Sequence, residues 1–310
     1  MGSPHLVFID GAAGTTGLQL QARLRQETQI HCLEIDPAAR KDPAARQAMM
    51  KKAELVVLCL HDEAARESAA LCAALEAPPK LLDASTAHRV NDSWVYGFPE
   101  LSPTQRARIA KAPRVANPGC YATGAIALLR PLIDAELLSP DAALTIPAVS
   151  GYSGGGRSMI EAYEAGEAPP CEGYGLGLGH KHIPEMMRYG GLQQRPIFLP
   201  LVANFPQGMI VQLPLPRAAL TRDVKLTELR EILHAHYGQL PESSVVVRRD
   251  EPPRGRLDAA ARAGEDGMEL WVAGDESAGQ ALLIARFDNL GKGAAGAALA
   301  NLKLMLGLTG

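Results

Sequence analysis

The stretch His5-Leu-Val-Phe-Ile-Asp-Gly-Ala-Ala-Gly-Thr-Thr-Gly17 is the most diagnostic part of the first predicted unit. It begins with the apolar pattern of a buried strand and continues as a glycine-rich turn, and leucines at near-helical spacing follow it. A strand, a glycine-rich turn and a helix in this order predict a dinucleotide-binding βα unit, because glycines let the backbone approach a pyrophosphate at a helix N-terminus. An ordinary βα turn is the alternative. The predicted dinucleotide contacts are Gly11, Ala13, Gly14, Thr15, Thr16 and Gly17.

The same alternation of strand and helix continues as far as residue 83. Apolar strand patterns at 30–35, 55–60 and 80–83 are separated by helix patterns at 43–52 and 62–76. Repeated βα units pair their strands in parallel and cover both faces of the sheet with helices. The first part of the chain is therefore predicted to be α/β, with a doubly wound Rossmann sheet.

Charged residues after the second strand bear on the choice of coenzyme. Asp36 ends this strand, and Arg40 and Lys41 follow shortly after it. An acidic residue here usually binds the ribose 2′-hydroxyl of NAD, whereas a basic residue nearby accepts the 2′-phosphate of NADP. Both signals are present, so these residues leave the choice between NAD and NADP open.

A polar segment at 83–89 follows the fourth strand at the carboxyl edge of the predicted sheet, where open α/β proteins bind ligands. Its arginine, Arg89, is either a solvated surface charge or a ligand for a phosphate group. The position beside the predicted coenzyme crevice favours the phosphate ligand.

The sequence Asn117-Pro-Gly-Cys-Tyr-Ala-Thr-Gly124 bends the chain sharply after a short apolar strand. A helix pattern follows from Tyr121 to Leu138, so Cys120 is predicted to lie at a strand-to-helix corner. The unpaired N–H groups of a helix N-terminus favour anions and raise the thiolate fraction of a cysteine. Cys120 is therefore the predicted nucleophile, and an ordinary buried cysteine is the alternative.

The pattern beyond residue 138 changes to segments of strong β character, with one clear helix at 225–236. This change indicates a second, α+β domain with a mixed or antiparallel sheet. Its predicted strands are 144–149, 197–202, 209–215, 244–247, 268–272 and 281–285. Glycine-rich segments at 150–157 and 173–179 are predicted to be site loops, and residues 248–266 a mobile surface loop.

Two histidines in His180-Lys-His182 follow the second glycine-rich loop. A His-x-His pair can bind zinc, but a third ligand at a suitable spacing is missing, so no metal is predicted. A neutral imidazole close to Cys120 would serve as a general acid and base. Structural or surface histidines are the alternative.

The composition limits the classes of function. The chain has 310 residues, 47% hydrophobic and 21% charged, which predicts a soluble globular protein of one large or two medium domains. A net charge of −3 gives no indication of nucleic-acid or membrane binding. Apolar runs stay below the ~20 residues of a membrane span, and the N-terminus lacks a signal-peptide pattern. Five scattered cysteines suit reduced thiols, so a cytoplasmic location is predicted.

Four motifs carry a resemblance to a known family: Asn117-Pro-Gly-Cys-Tyr121, Ser150-Gly-Tyr-Ser-Gly-Gly-Gly-Arg157, His180-Lys-His-Ile-Pro-Glu185 and Asp288-Asn-Leu-Gly-Lys-Gly-Ala-Ala-Gly296. In this order, with the N-terminal glycine turn and Tyr96-Gly-Phe-Pro-Glu-Leu101, they resemble the N-acetyl-gamma-glutamyl-phosphate reductase family in its shorter form. The resemblance covers nearly the whole chain. Its cysteine and histidine motifs are specific, whereas many dehydrogenases share the glycine turn. Residues 200–208 lack the His and Arg that longer members carry.

The resemblance implies the fold of the aspartate-semialdehyde dehydrogenase and glyceraldehyde-3-phosphate dehydrogenase superfamily. It implies an NADP-binding domain at 1–117, a catalytic domain at 118–289, and a C-terminal helix within 290–310 that returns to the first domain. The implied reaction, in arginine biosynthesis, is NADPH-dependent reduction of N-acetyl-gamma-glutamyl phosphate to the 5-semialdehyde through a thioester at Cys120. His182 is the implied acid–base residue, with His180 in reserve.

The resemblance also implies ligand contacts and an assembly. The implied coenzyme contacts beyond the glycine turn are Arg40, Ser153, Gly154 and Asn289, and the implied substrate contacts are Arg89, Asn117, Ser150, Arg157 and Glu185. A homodimer or homotetramer is usual in the superfamily. Two alternatives stay open: a related reductase of another acyl phosphate, such as aspartyl phosphate, and a non-catalytic NADP-binding regulator that would not need Cys120.

Overall fold

The computed structural model of the protein describes residues 3–308. The strands are β1 His5–Asp10, β2 Ile30–Leu33, β3 Leu55–Leu58, β4 Lys80–Asp83, β5 Val95–Tyr96, β6 Arg114–Ala116, β7 Thr145–Gly151, β8 Cys171–Gly173, β9 Ile197–Ala203, β10 Met209–Pro216, β11 Val245–Val247, β12 Met268–Asp275 and β13 Gln280–Phe287. The α-helices are α1 Thr15–Leu24, α2 Pro43–Lys52, α3 Asp62–Ala73, α4 Gln105–Lys111, α5 Cys120–Asp134, α6 Arg157–Glu164, α7 Ile183–Gly190, α8 Leu226–Gly238 and α9 Gly296–Leu306.

The chain forms two compact units. The first contains the chain up to residue 98, residues 104–118 and the chain from residue 294 on. The second contains residues 99–103 and 119–293. The short segment 99–103 therefore belongs to the second unit although its neighbours in sequence belong to the first.

The sheet of the first unit has six strands in the order β2-β1-β3-β4-β6-β5, and all of its pairs are parallel. This confirms the predicted doubly wound Rossmann sheet. Asp10, Leu58, Asp83 and Ala116 occupy one row of the register at the carboxyl ends of four neighbouring strands. The segments that follow these residues therefore share one edge of the sheet.

Alternating strand residues build a core on each face of this sheet. Val7 and Ile9 pack on one face with Leu20 of α1, and Phe8 packs on the opposite face with Met50 of α2. Leu302 and Met305 of α9 join the first of these cores. The C-terminal helix therefore belongs to the first unit, as predicted.

The sheet of the second unit has seven strands in the order β11-β12-β13-β10-β7-β9-β8. The β11–β12 and β7–β9 pairs are parallel and the other four pairs are antiparallel, so the predicted mixed sheet is confirmed. Helix α5 is buried almost along its whole length and packs on β10 and β13. This burial explains its continuous apolar sequence.

Several predicted boundaries are wrong. Helix α5 ends at Asp134 rather than Leu138, because the chain turns out of the helix at Glu136 with a φ of 54°. The segment 150–157 is only partly a loop, since β7 extends to Gly151 and α6 begins at Arg157. In the second glycine-rich segment, Gly173 still pairs as the last residue of β8. Helices α6 and α7 have no counterpart in the sequence predictions.

The segment 248–266 has no strand and only a short 3-10 turn, at Pro253–Gly255. Leu257 and Ala259 nevertheless pack against the buried side chains of Trp271 and Ile284 on the sheet. The predicted surface loop therefore also has a packing role, because these apolar side chains cover one face of the sheet. Its mobility stays a prediction.

Candidate active site

The corner that carries Cys120 is formed locally. Strand β6 ends at Ala116, Gly119 is the N-cap of α5 in an extended conformation, and Cys120 is the first helical residue. Cys120 is partly exposed, whereas the residues that follow it in α5 are buried. The predicted strand-to-helix corner is confirmed, and it presents the thiol at the end of a 15-residue helix that favours negative charge.

Glu185 holds the backbone of this corner. The N–H of Gly119 donates to Oε2 of Glu185 at 2.9 Å, and the glutamate is 1% exposed. A buried carboxylate that accepts from this N–H pins the residue immediately before Cys120. The structure thus shows Glu185 in a positioning contact, and its role as a substrate ligand stays a prediction.

Both histidines lie beside the residue that follows Cys120. The ring centroids of His180 and His182 are 5.9 and 6.1 Å from that of Tyr121, and 4.7 Å from each other. The backbone N–H of His182 donates to Nδ1 of His180 at 3.1 Å. A neutral His180 that accepts at Nδ1 carries its proton on Nε2. The structure therefore brings both acid–base candidates to the cysteine corner.

The predicted coenzyme contacts of the second unit form one buried cluster. Asn289 is 1% exposed, its Nδ2 donates to Oγ of Ser153 at 3.0 Å, and its Oδ1 accepts from the N–H of Gly208 at 2.9 Å. Gly154 lies against the same amide, because a Cβ on it would be 3.3 Å from Nδ2 of Asn289. The structure brings Ser153, Gly154 and Asn289 together, and their role toward a coenzyme stays a prediction.

The two predicted substrate ligands in β7 and α6 have different surroundings. Ser150 is 3% exposed, and its hydroxyl donates to the carbonyl of Gly151 at 3.0 Å and lies close to the hydroxyl of Tyr121. The side chain of Arg157 is 78% exposed and lies 3.7 Å from Glu161. Ser150 thus belongs to the corner, whereas the structure does not place Arg157 in that buried cluster.

The glycine-rich turn of the first unit fits a dinucleotide. Gly11 has a φ of 90°, and any Cβ on it would collide with the carbonyl oxygen of Cys59. Ala13 and Gly14 are exposed, and α1 begins at Thr15 with no acidic residue in its first turn. The turn therefore presents exposed backbone and an unopposed helix N-terminus, which is what a pyrophosphate requires.

Asp36 and Arg40, which follow β2, are both exposed. Their surroundings favour Arg40 as the side chain that is open to a ligand. Asp36 accepts a hydrogen bond from the N–H of Ala38 at 2.9 Å, which commits one of its oxygens to a local turn. Arg40 lies four residues further and is exposed. Its guanidinium is accessible to an anionic group at this edge of the sheet.

Arg89 and Asn117 lie together at the carboxyl edge of the first sheet. Arg89 is 7% exposed and donates from Nε to the carbonyl of Asn117 at 2.9 Å, which excludes the alternative of a solvated surface charge. Asn117 is 1% exposed, and its side chain bonds to the carbonyl of Ala294 and to Asn301. Both side chains make hydrogen bonds at this edge of the sheet. Contact with substrate stays a prediction for each.

Comparison with known proteins places this chain in a family. The family model for the semialdehyde dehydrogenase dimerisation domain matches residues 120–289. Proteins named N-acetyl-gamma-glutamyl-phosphate reductase from Brucella ovis and Brucella canis are each 46% identical over 306 residues, which is 97% of this chain and 98% of each relative. The chain belongs to the N-acetyl-gamma-glutamyl-phosphate reductase family. It is an oxidoreductase.

Solved structures share the fold of this family member. Aspartate semialdehyde dehydrogenase II of Vibrio cholerae, complexed with ASA, has a TM-score of 0.72 at 15% identity and covers 98% of this chain and 99% of its own. The Candida albicans enzyme, solved with NADP, has a TM-score of 0.68 at 14% identity and covers 97% and 98%. At such low sequence identity these structures show a common fold but not a common substrate.

The other thiols of this reductase family member differ from Cys120. Burial raises the pKa of Cys59 and of Cys72 to about 12 and also raises that of Cys32, so these thiols stay protonated near neutral pH. Cys171 is exposed on β8. Within residues 3–308 no disulfide is present. The helix N-terminal position distinguishes Cys120 among the five.

Tyr174 is a residue of the corner that sequence reasoning missed. Its hydroxyl lies beside that of Tyr121, which donates to the carbonyl of Leu201 at 2.9 Å. Burial raises the pKa of Tyr174 to about 12, and a negative charge on Cys120 acts in the same direction. Tyr174 therefore stays a neutral hydrogen-bonding group beside the thiol. Its position in a glycine-rich segment was the only signal in the sequence.

Two further findings concern membrane spans and metal sites in the described residues. No helix in residues 3–308 is long and apolar enough to cross a membrane. In the same residues no group of three or more His, Cys, Asp and Glu side chains is arranged to hold a metal ion.

Proposed function

We propose that this enzyme reduces N-acetyl-gamma-glutamyl phosphate to N-acetyl-L-glutamate 5-semialdehyde with NADPH and releases phosphate, as a step of arginine biosynthesis. The observation that carries the proposal is the 46% identity, over 97% of the chain, to relatives named for this reaction. The partly exposed Cys120 at the N-terminus of α5, with two histidines beside its neighbour Tyr121, supplies the chemistry such a reaction needs.

Cys120 is the nucleophile in this proposal. Its thiolate attacks the acyl carbon, the bond from that carbon to the phosphate oxygen breaks, and phosphate leaves with the bonding electron pair. The product on the enzyme is a thioester. The contact from Gly119 to Glu185 keeps the thiol at the helix end while this step occurs. Arg89, Asn117, Ser150, Arg157 and Glu185 are the proposed substrate contacts.

NADP is the proposed coenzyme, and the residues present fit it. The exposed backbone of the glycine turn and the N-terminus of α1 would hold the pyrophosphate, and Arg40 would hold the 2′-phosphate. Ser153, Gly154 and Asn289 would hold the nicotinamide end. When bound, the reduced coenzyme supplies the hydride that converts the thioester to a thiohemiacetal. The first unit is thereby the proposed coenzyme domain and the second the catalytic domain.

His182 is the proposed acid–base residue. Its imidazole donates a proton to the former carbonyl oxygen as the thiohemiacetal forms. It accepts that proton again when the aldehyde C=O forms, the C–S bond breaks and the Cys120 thiolate leaves. The position of His182 at the N-cap of α7, 5% exposed, holds the ring beside the cysteine corner.

The test of the function is an assay of the reverse reaction. NADP reduction is followed with N-acetyl-L-glutamate 5-semialdehyde, with and without inorganic phosphate, and aspartate semialdehyde serves as the matched substrate. We expect phosphate-dependent turnover with the N-acetylated substrate. Preference for aspartate semialdehyde would assign the chain to another acyl-phosphate reductase, and NADP binding without turnover of either substrate would indicate a regulator.

Arg40→Ala should weaken the use of NADP while leaving the use of NAD almost unchanged. A hydrogen bond to a charged group is worth about 1.5–3 kcal/mol, so kcat/KM for NADP should fall by roughly 10- to 100-fold. Arg25→Ala, which removes an equal charge at the end of α1, is the control. Wild-type preference for NAD, or equal losses with both coenzymes in Arg40→Ala, would show that Asp36 rather than Arg40 decides.

A homodimer or homotetramer is part of the proposal. Ile197 and Leu199 lie on one face of β9 with 47% and 39% of their surface exposed, and adjacent apolar side chains exposed on a sheet favour a protein contact. The family model that matches this unit is named for dimerisation. A mass equal to one chain in sedimentation equilibrium would contradict this assembly.

A cytoplasmic location also belongs to the proposal, because a reduced thiol nucleophile and NADPH are both maintained in that compartment. Cell fractionation tests it. Recovery of the native enzyme outside the cytoplasmic fraction would contradict it.

A further inference from the structure

A buried ion pair connects two of the motifs that carry the family resemblance, and neither of its charged residues was given a role from the sequence. Nζ of Lys292 lies 2.7 and 2.8 Å from Oε1 and Oε2 of Glu100, and the two residues are 5% and 4% exposed. Glu100 belongs to the segment 99–103, which is part of the second unit. Lys292 follows Asn289 in the same unit. The pair therefore joins residues that are 192 positions apart in the sequence.

Further hydrogen bonds hold Glu100 in place. Oε1 accepts from the backbone N–H of Ser244 at 3.1 Å and from its hydroxyl at 2.8 Å. Burial by itself raises the pKa of Glu100, but the Lys292 ammonium and the Ser244 donors outweigh it, so the pKa is lowered. Glu100 is therefore ionised near neutral pH and is a strong acceptor for Lys292.

Lys292 lies in a π-helical turn, Gly291–Ala295, which precedes α9. The wide ring of this turn is closed by the N–H of Gly293, which donates to the carbonyl of Asp288 at 3.0 Å. Asp288 is fully buried, and its carboxylate accepts from the N–H groups of Leu290 and Gly264. Single π-turns of this kind occur frequently at functional sites.

This turn rests directly on the candidate nucleophile. A Cβ placed on Gly293 would lie 2.9 Å from the Cβ of Cys120 and 3.4 Å from its Cα. That separation is too short for any residue with a side chain unless one of the two backbones moves. The position of the turn therefore limits where the thiol-bearing carbon can lie.

We propose that Glu100 and Lys292 are positioning residues for Cys120. Their ion pair anchors the turn Gly291–Ala295, and Gly293 of this turn holds the thiol-bearing carbon at the end of α5. Neither charged side chain needs to touch substrate or coenzyme for this role. The proposal rests on the assignment of Cys120 as nucleophile in the proposed function.

The test compares a charge-neutral double variant with a matched pair. Glu100→Gln/Lys292→Met removes both charges of the pair. A single substitution would leave the remaining buried ion without this partner. Glu27→Gln/Lys303→Met removes the other acid–lysine pair of the C-terminal segment, 3.0 Å apart and partly exposed. Gly293→Ala keeps the ion pair and disturbs only the contact with Cys120. All proteins carry Cys171→Ser, so that the exposed thiol does not react.

Three readouts are recorded for each protein: thermal unfolding, the pH profile of Cys120 alkylation by iodoacetamide, and kcat and KM of the proposed reaction. For folded Glu100→Gln/Lys292→Met and for Gly293→Ala we expect kcat to fall by about 10- to 100-fold, as for a reacting group displaced by about 1 Å. The rate or pH midpoint of alkylation should change as well, with a smaller change in KM. The Glu27/Lys303 variant should match wild type.

Wild-type alkylation and kcat in a folded Glu100→Gln/Lys292→Met variant would overturn the proposal, as would a fall in kcat with unchanged alkylation. If that variant does not fold, Glu100→Asp keeps both charges and shortens the acid by one methylene. Wild-type rates in folded Glu100→Asp would then overturn it. Alkylation needs neither substrate nor coenzyme, so this arm gives its result even if the wild-type enzyme fails to use N-acetyl-L-glutamate 5-semialdehyde.

Discussion

Cys120→Ser should keep the fold and NADP binding but lose almost all turnover. A serine hydroxyl is not ionised at neutral pH, and the N-terminus of α5 cannot compensate for the missing thiolate. Loss of a covalent nucleophile lowers kcat on the order of 10⁴- to 10⁶-fold. The measurement is the phosphate-dependent reduction of NADP with N-acetyl-L-glutamate 5-semialdehyde, beside thermal unfolding and NADP titration.

Cys171→Ser is the matched control for this prediction, because Cys171, on β8, is the one cysteine of the five that is exposed. It should retain wild-type kcat. The serine at 120 adds no atoms next to Gly293, so the contact between the turn and the helix end is preserved. Substantial activity in a folded Cys120→Ser protein, or inactivity of Cys171→Ser, would refute the assignment of the nucleophile.

His182→Asn should lower kcat by the ~10²–10⁴-fold typical of a lost general acid–base, with little change in the alkylation of Cys120. The reason for the second expectation is that the helix N-terminus already stabilises the thiolate without the imidazole. The substitution leaves the backbone hydrogen bond from residue 182 to Nδ1 of His180 intact, so the second histidine keeps its place. Turnover and the pH profile of iodoacetamide alkylation are measured together.

His180→Asn is the companion variant, since its ring lies at a similar distance from Tyr121. It should lose less turnover than His182→Asn. An alkylation midpoint that rises in step with the loss of turnover in His182→Asn would show that the imidazole holds the thiolate as an ion pair. Unchanged turnover in that variant would transfer the acid–base role to His180.

Local sequence patterns predicted most of the first unit, because each pattern is formed by neighbouring residues. The buried-strand pattern of His5–Asp10 and the positive φ of Gly11 are properties of a few neighbouring residues, and the strand and the turn were found as expected. The corner at Cys120 was equally local, since a bend after β6 and an apolar helix pattern are enough to place it. The mixed sheet of the second unit followed from strand composition.

Errors arose where an amphipathic helix is short and lies next to a glycine-rich segment. Helices α6 and α7 have eight residues each and begin within or beside glycine-rich segments. The glycines favoured a loop prediction there, so the apolar positions of these helices were overlooked. Their stability comes from packing in the folded unit rather than from propensity. Leu257 and Ala259 likewise pack against Trp271, a contact that exists only in the folded unit.

Residues close together in the chain were enough to predict the βα unit with its glycine-rich turn, the strand-to-helix corner at Cys120 and the motifs that carry the family resemblance. The contacts of the isolated charges and amides became visible only in the folded chain. Glu100 and Lys292 meet across 192 positions, Gly119 meets Glu185 across 66, and Asn117 meets Asn301 across 184. Partners so far apart leave no local periodicity, and each pair forms only because burial in the folded unit removes water as the competing hydrogen-bond partner.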